Sequence, residues 1–176
     1  MDDVSLSRPT EADVADLHAI VSDPRLWTHY PSLRHTSIDE TRALVDRWTS
    51  QWDRDGLGPW VVRTQDSIIG YGGCDRRRDA FWNLGYRLAA SMHGRGLATR
   101  VAHAAVDAAR RHDDSLPIVA YLVEHNRASA RVAEKVGLSL IHRAPDAGNP
   151  DPTVIRLVYA DRPLSSRELA AALGCS

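Results

Sequence analysis

The sequence predicts a single α+β domain, a sheet with helices packed on its faces. Three observations carry that prediction. A chain of 176 residues, 43% hydrophobic and 26% charged, is long and apolar enough for one domain around a core. Amphipathic stretches, several opened by Ser/Thr capping signals, interrupt short apolar runs of strand length. Finally, the order is strand, helix, helix, three strands, helix, strand, helix, two strands, without the regular alternation of a doubly wound nucleotide fold.

The alternating segment Val4-Ser5-Leu6-Ser7-Arg8 reads as the first strand. Pro9-Thr10-Glu11 with Asp13 reads as a helix start capped by Thr10, and this helix ends near Asp23-Pro24. Ser37-Ile38-Asp39-Glu40 is a capping box; Leu44, Trp48 and Trp52 then recur at helical spacing until Gly56. Trp60-Val61-Val62 and Ile68-Ile69-Gly70-Tyr71, separated by Gln65-Asp66-Ser67, read as an antiparallel hairpin, and Phe81 to Leu88 as a further strand. From Gly96 to Arg111 the pattern is helical, with Leu97, Val101, Ala104, Ala105 and Ala108 on one face and cations at the C-terminal end. Pro117 to Val123 is strand-like, and Asn126 to Val136 reads as a short helix stopped by Gly137. Leu138 to His142 and Val154 to Tyr159 are the last strands, with the Pro, Gly, Asn and Asp of Pro145 to Pro152 as the loop between them. Ser165 to Glu168 is another capping box, opening a Leu/Ala helix that stops at Gly174.

Composition excludes several classes of function. A formal net charge of −1 provides no global field for nucleic acid or an anionic membrane, so a charged ligand has to be held locally. Two cysteines, Cys74 and Cys175, make no disulfide framework, and no Cys/His cluster or histidine spacing suits a metal. The acidic start and the lack of a long apolar run predict a chain that is neither secreted nor membrane-spanning, in a reducing, cytoplasmic setting. Arg76-Arg77-Arg78, framed by Asp75 and Asp79, reads as self-neutralised surface. Lys135 is the only lysine among 22 basic residues, a bias of composition without functional weight.

The chemistry concentrates in Leu84-Gly85-Tyr86-Arg87-Leu88-Ala89-Ala90-Ser91-Met92-His93-Gly94-Arg95-Gly96-Leu97-Ala98-Thr99, where a strand ends, a glycine-bearing loop follows and a long helix begins. Unpaired N–H groups and the positive end of the helix dipole bind phosphate once small residues, here Gly94, Gly96 and Ala98, let the anion approach. The same small residues also suit a turn that merely lets a helix pack on the sheet. No lysine follows the glycines as a P-loop requires, and Thr99 breaks the GxGxxG pattern.

On these residues the chain resembles the GCN5-related N-acetyltransferases (GNAT), whose signature is Gln/Arg-x-x-Gly-x-Gly/Ala. His93-Gly94-Arg95-Gly96-Leu97-Ala98 matches it except at the first position. A second block, Asn126-Arg127-Ala128-Ser129 followed by Glu134-Lys135-Val136-Gly137-Leu138, resembles the family's Asn-x-x-Ala/Ser and Glu-Lys elements. The resemblance runs from about Val4 to Ala160 and is nearest the RimJ/RimL-type branch. It implies a GNAT domain over residues 1–160, a C-terminal helical extension over 161–176, and a splayed, mixed, mostly antiparallel sheet of about seven strands.

The resemblance also implies acetyl-CoA as co-substrate, with no metal. His93, Gly94, Arg95, Gly96, Leu97, Ala98 and Thr99 would form the pyrophosphate turn, Leu88, Ala89 and Ala90 would pair with the pantetheine amides, and Asn126 and Ser129 would touch the cofactor. Asn126 at a helix start is equally a plain N-cap. Many relatives place a proton-donating Tyr where this chain has Ala133, so Ser129, one turn away, becomes the candidate acid for the departing thiolate, and a close-packed small residue is its bland alternative. Arg95, Arg100, Arg131 and Lys135 could reach phosphates or be solvated helix charges.

The proton acceptor is less defined. Relatives often carry Glu two residues before the Gly of Leu-Gly-Tyr, and Asn83 stands there instead, leaving Glu124, Asp79 and Asp75. A weak base favours an α-amine, which is partly neutral near pH 7.5, over a lysine-like amine. Trp27 and Tyr30, in the loop between the first helices, are candidates for holding the acceptor; Trp48 and Trp52 read as core. The resulting expectation is acetyl transfer to a primary amine by direct attack, with a peptide N-terminus ahead of an antibiotic, polyamine or amino acid. The alternative is a non-catalytic acyl-CoA-binding module. A homodimer, built through the last helix, is compatible with the sequence.

Overall fold

The computed structural model describes residues 4–65, 67–147 and 149–174, which leaves Asp66, Gly148 and Cys175 of the readings above outside the described residues. Among the described residues there are seven strands: β1 Ser5–Ser7, β2 Trp60–Arg63, β3 Ile68–Arg77, β4 Phe81–Leu88, β5 Ile118–Val123, β6 Ser139–Pro145 and β7 Ile155–Ala160. The helices are α1 Val14–Val21, α2 Ile38–Asp55, α3 Leu97–His112, α4 Arg127–Lys135 and α5 Ser166–Leu173. The sheet order is β1-β2-β3-β4-β5-β7-β6, and every neighbouring pair is antiparallel except β4 with β5. This is the mixed, mostly antiparallel seven-stranded sheet that the resemblance implies.

Local chemistry sets the helix ends. The Glu40 carboxylate accepts from the Ser37 N–H at 3.0 Å while Ser37 caps the helix, and Gly56 closes α2 in the left-handed conformation at φ 68°. Ser165 and Glu168 repeat the box at α5. Thr10 and Asp13 cap a short 3-10 turn, Glu11–Asp13, so α1 begins a few residues later than the sequence pattern implies. The largest departure is β3, which runs on from Tyr71 to Arg77 through Gly72 and Gly73. Those glycines are sites of close approach: a Cβ on Gly72 would lie 2.5 Å from Val101 of α3, and one on Gly73 2.7 Å from the Pro59 backbone. β6 likewise extends through Pro145, which the sequence pattern places in the following loop.

Strand alternation sends side chains to two faces. Trp82 and Leu84 join Ala102, Ala105 and Ala109 of α3 and Ala130 and Ala133 of α4 in one core; the alanines let α3 lie close to the sheet. Phe81, on the other face, packs with Val119, Val158 and Ala172 of α5. On that same face Tyr71 meets α1 and α2 through Leu17, Val45 and Trp48. Burial of Phe81 to 1% exposure contributes about 2–3 kcal/mol, which anchors β4 near its start. Beyond that anchor β4 and β5 part: they pair only at Trp82/Ile118 and Asn83/Val119. The wedge that opens between them organises the site.

Candidate active site

The ladder alternation decides which backbone groups face the wedge. Ala89 N–H donates to Ile69 O across β3 at 2.8 Å, whereas Trp82 N–H donates to Pro117 O on the β5 side at 2.9 Å. With residues alternating between these directions, the N–H and C=O groups of Tyr86 and Leu88 turn toward β5, where no strand pairs with them beyond the Asn83/Val119 bridge. Leu88 therefore presents its N–H to the opening. His93 Nε2 lies 3.0 Å from the Leu88 carbonyl, which can only accept, so the side chain that departs from the glycine-turn pattern ties the turn back to the strand.

The turn itself explains its glycines. Gly94 and Gly96 stand at φ 78° and 74°, a left-handed backbone that side chains resist, and nothing crowds them. The helix ladder of α3 starts with Arg100 N–H to Gly96 O, leaving the N–H groups of Leu97, Ala98 and Thr99 unused by the helix. A cavity of about 440 Å³ lies over them, lined by Leu88, His93, Gly94, Gly96, Leu97, Ala98 and Thr99 and closed by Asn126 and Ser129. Asn126 is an N-cap, its Oδ1 accepting from the Ser129 N–H at 3.2 Å, and it also faces the cavity. Ala89, Ala90 and Arg95 are absent from this lining. The Ala89 N–H is used by Ile69, and the Ala89 and Ala90 carbonyls accept from Met92 and His93, so these two residues have little backbone left for a ligand.

A second cavity, about 620 Å³, opens on the α1/α2 face and penetrates the wedge. It meets the first at His29, Tyr86, Arg87, Asn126 and Ser129. Trp27 and Tyr30 both line it. Trp27 is 6% exposed, donates from Nε1 to Val21 O at 2.5 Å, and carries the Arg87 guanidinium 3.5 Å above its ring. Trp48 serves two purposes, packing in the core against Tyr71 at 4.7 Å and lining this cavity. Ala133 lines it too, so no phenol projects from α4 there.

The three carboxylates separate clearly. Glu124, the sequence candidate for proton acceptor, lines neither cavity; Arg143 holds both its oxygens, at 2.7 and 2.9 Å, and that hydrogen-bonded pair keeps its carboxyl below the usual range. Its position outside both cavities corrects that expectation. Asp79 sits in the β3–β4 turn, ion-paired with Arg76 at 3.2 Å. Asp75 alone faces the larger cavity, opposite Asn83 in the strand register. Its carboxylate accepts from Asn83 Nδ2 at 3.0 Å and Gln51 Nε2 at 3.3 Å and pairs with Arg77 at 2.5 Å. The Arg76–Arg78 cluster is thus neutralised at Arg76 and Arg77 by the two framing aspartates.

Sequence reasoning did not single out several polar residues of the cavities, among them Tyr86, Arg87, His29 and Arg156. Tyr86 places its hydroxyl 3.5 Å from Ser129 O, and burial pushes its phenol above the ordinary range. Arg87 lies next to it on the opposite sheet face, as strand alternation requires, and that mid-strand charge was the available signal. His29 is pushed down to about 4 by burial, with Arg87 and His125 adding repulsion. Arg156 on β7 pairs with buried Asp146 at 2.5 Å, a contact between loop and strand that local patterns do not reveal.

Among the described residues there is no group of three metal-binding side chains, and no helix is long and apolar enough to cross a membrane. Residues 3–139 match the family model for the acetyltransferase (GNAT) domain. Solved structures of the same fold include an acetyltransferase from Agrobacterium tumefaciens, 25% identical over 93% of both chains with a TM-score of 0.71. RimL, a ribosomal L7/L12 α-N-protein acetyltransferase in complex with coenzyme A, is 23% identical over 89% of this chain and 92% of its own, with a TM-score of 0.75. The ribosomal-protein-S5-alanine acetyltransferase from Vibrio fischeri is 14% identical over 94% and 95% of the two chains, also at 0.75. The glycine turn, the splayed β4/β5 wedge and a family match over most of the length make this chain a member of the GNAT acetyltransferase family.

Proposed function

We propose that the protein is an N-acetyltransferase of the RimJ/RimL type that moves the acetyl group of acetyl-CoA onto a primary amine, with an α-amine as the preferred acceptor. The observation that carries this reading is the meeting of two cavities through the sheet: one over the glycine turn, one on the α1/α2 face, joined at His29, Tyr86, Arg87, Asn126 and Ser129. Two reactants arriving from opposite faces and touching at one point is what direct transfer requires.

The co-substrate supplies an activated thioester. The N–H groups of Leu97, Ala98 and Thr99 would hold its pyrophosphate, and the wedge-facing backbone of Leu88 would hold the pantetheine arm and polarise the thioester carbonyl. The amine forms a bond to the acetyl carbon, the C–S bond breaks, and the electron pair leaves on sulfur. Ser129 would donate the proton that sulfur takes up and regain one from water, which carries the proton lost by the attacking amine. An amine that arrives protonated would first pass its extra proton to water, with Asp75, the one of the three candidate carboxylates that lines the cavity, in place of Glu124 as the final acceptor. Trp27 and Tyr30 would shape the acceptor side.

Release of free thiol from acetyl-CoA in the presence of a panel of peptides and small amines tests the reading. Turnover with α-amines is expected. Acetyl-CoA binding without turnover on a broad panel would support a non-catalytic acyl-CoA-binding module instead.

A further inference from the structure

The larger cavity is electrostatically lopsided. Four arginines line it, Arg47, Arg77, Arg87 and Arg156, against two aspartates, Asp75 and Asp146. Both aspartates are already committed, to Arg77 and Arg156, each at 2.5 Å. Among the described residues Arg47 and Arg87 have no carboxylate partner. Arg87 spends one Nη on Leu26 O at 2.5 Å and stacks on Trp27, while its Nε is buried without a hydrogen-bond partner. A guanidinium held over an indole beside an open cavity, with a donor unsatisfied, is an incomplete anion site.

The neighbouring histidines report the same field. His29 and His35 both line the cavity, and both are pushed toward the neutral form, foremost by burial, with Arg87 repelling each and Arg47 also repelling His35; exposed Glu40 opposes this at His35. A polyamine or other polycation entering here would meet uncompensated positive charge. An amine that brings its own negative group would not.

Building on the acetyltransferase reading, we infer that the acceptor is a primary amine bearing an anionic group, a carboxylate or a phosphate, held by Arg87 against Trp27 with Arg47 at the mouth. The cationic surroundings also favour the neutral, nucleophilic form of the amine, which suits a site with Asn83 where relatives often have Glu.

The test uses matched acceptors: Ala-Asp-amide against Ala-Asn-amide, β-alanine against β-alaninamide, O-phosphoethanolamine against ethanolamine, and putrescine as the polycation. The wild type should favour the anionic member of a pair by about tenfold or more in kcat/KM, and the carboxylate and phosphate pairs decide between the two anions. Arg87→Gln and Arg47→Gln should each cut that preference by roughly fivefold or more while the KM for acetyl-CoA holds. Arg47 is exposed on α2, so its variant keeps the test valid should Arg87→Gln fold poorly. Equal or better use of the neutral members or of putrescine overturns the inference. So does a preference that survives both substitutions, or an Arg87→Gln effect confined to acetyl-CoA. If nothing turns over, calorimetry of the same acceptors on CoA-saturated protein decides: anion-selective binding supports the inference, and its absence ends it. A separate titration with acetyl-CoA reports on the acetyltransferase reading itself.

Discussion

Ser129 and Tyr86 line both cavities at the point where they join, and Ala133 leaves the adjacent helix face without a phenol. Replacing Ser129 by Ala should lower kcat by roughly 10²-fold with acetyl-CoA affinity nearly unchanged, as expected for a group that acts on the leaving thiolate. Stopped-flow thiol release and calorimetry separate the two quantities. Unaltered kcat in Ser129→Ala with a comparable loss in Tyr86→Phe would move the role to the buried phenol. His29 gives a pH prediction. Its imidazole falls from 6.5 unfolded to about 4 in the fold, so the stability it contributes is full above about 6.5 and is lost as pH falls toward about 4. Because the ring is only partly buried, the contribution is about 1–2 kcal/mol after screening. Urea unfolding of His29→Gln should therefore depend less on pH between 4 and 6.5 than the wild type. Motif and position single out Trp27, Tyr30, Asn126 and Ser129, which line the cavities, and Glu124, which does not, whereas Asp75 does. Adjacency to Asn126 in sequence is visible; the strand register that sets Asp75 beside Asn83 is not.

The elements tell a similar story through their ends. Each capping box read from sequence, at Thr10, Ser37 and Ser165, is formed, because the box is a local exchange of two hydrogen bonds. β3 was under-read because Gly72, Gly73 and Asp75 are poor strand residues; α3 and the Pro59 backbone override that preference by packing against them. Gly70 makes the tightest approach in this region, since a Cβ there would sit 2.2 Å from Arg87 O and 2.8 Å from Leu88 Cα. Gly70→Ala should cost about 2–4 kcal/mol and displace the strand edge proposed to hold pantetheine, so thermal stability and acetyl-CoA affinity should fall together. Asn126→Ala should cost about 1 kcal/mol through the lost cap, whereas Asn126→Asp should keep it. A cofactor contact would show as weakened acetyl-CoA binding in Asn126→Asp despite retained stability.

Across the whole molecule the glycine turn and the second block sufficed to name the family, since they are short and local. The cavity through the sheet was not legible, because it depends on β4 and β5 parting after Asn83, a long-range property of strands that are distant in sequence. The last helix also joins the whole: Ala172, 2% exposed, sits on Phe81, Val119 and Val158, so α5 braces the strands from which the wedge opens. Ala172→Asp should destabilise the fold by about 3 kcal/mol by burying an unpaired carboxylate, readable as a lowered Tm. The central claim, that the glycine turn holds the phosphates of acetyl-CoA, is tested most directly by calorimetric titration of the wild type beside Thr99→Glu. Thr99 lies in the first turn of α3 and lines the cavity, where a carboxylate suits the helix dipole yet opposes a phosphate. Micromolar-range binding by the wild type, lost in the folded variant, is the predicted result. Absence of binding by the wild type, or equal binding by both proteins, would contradict the account.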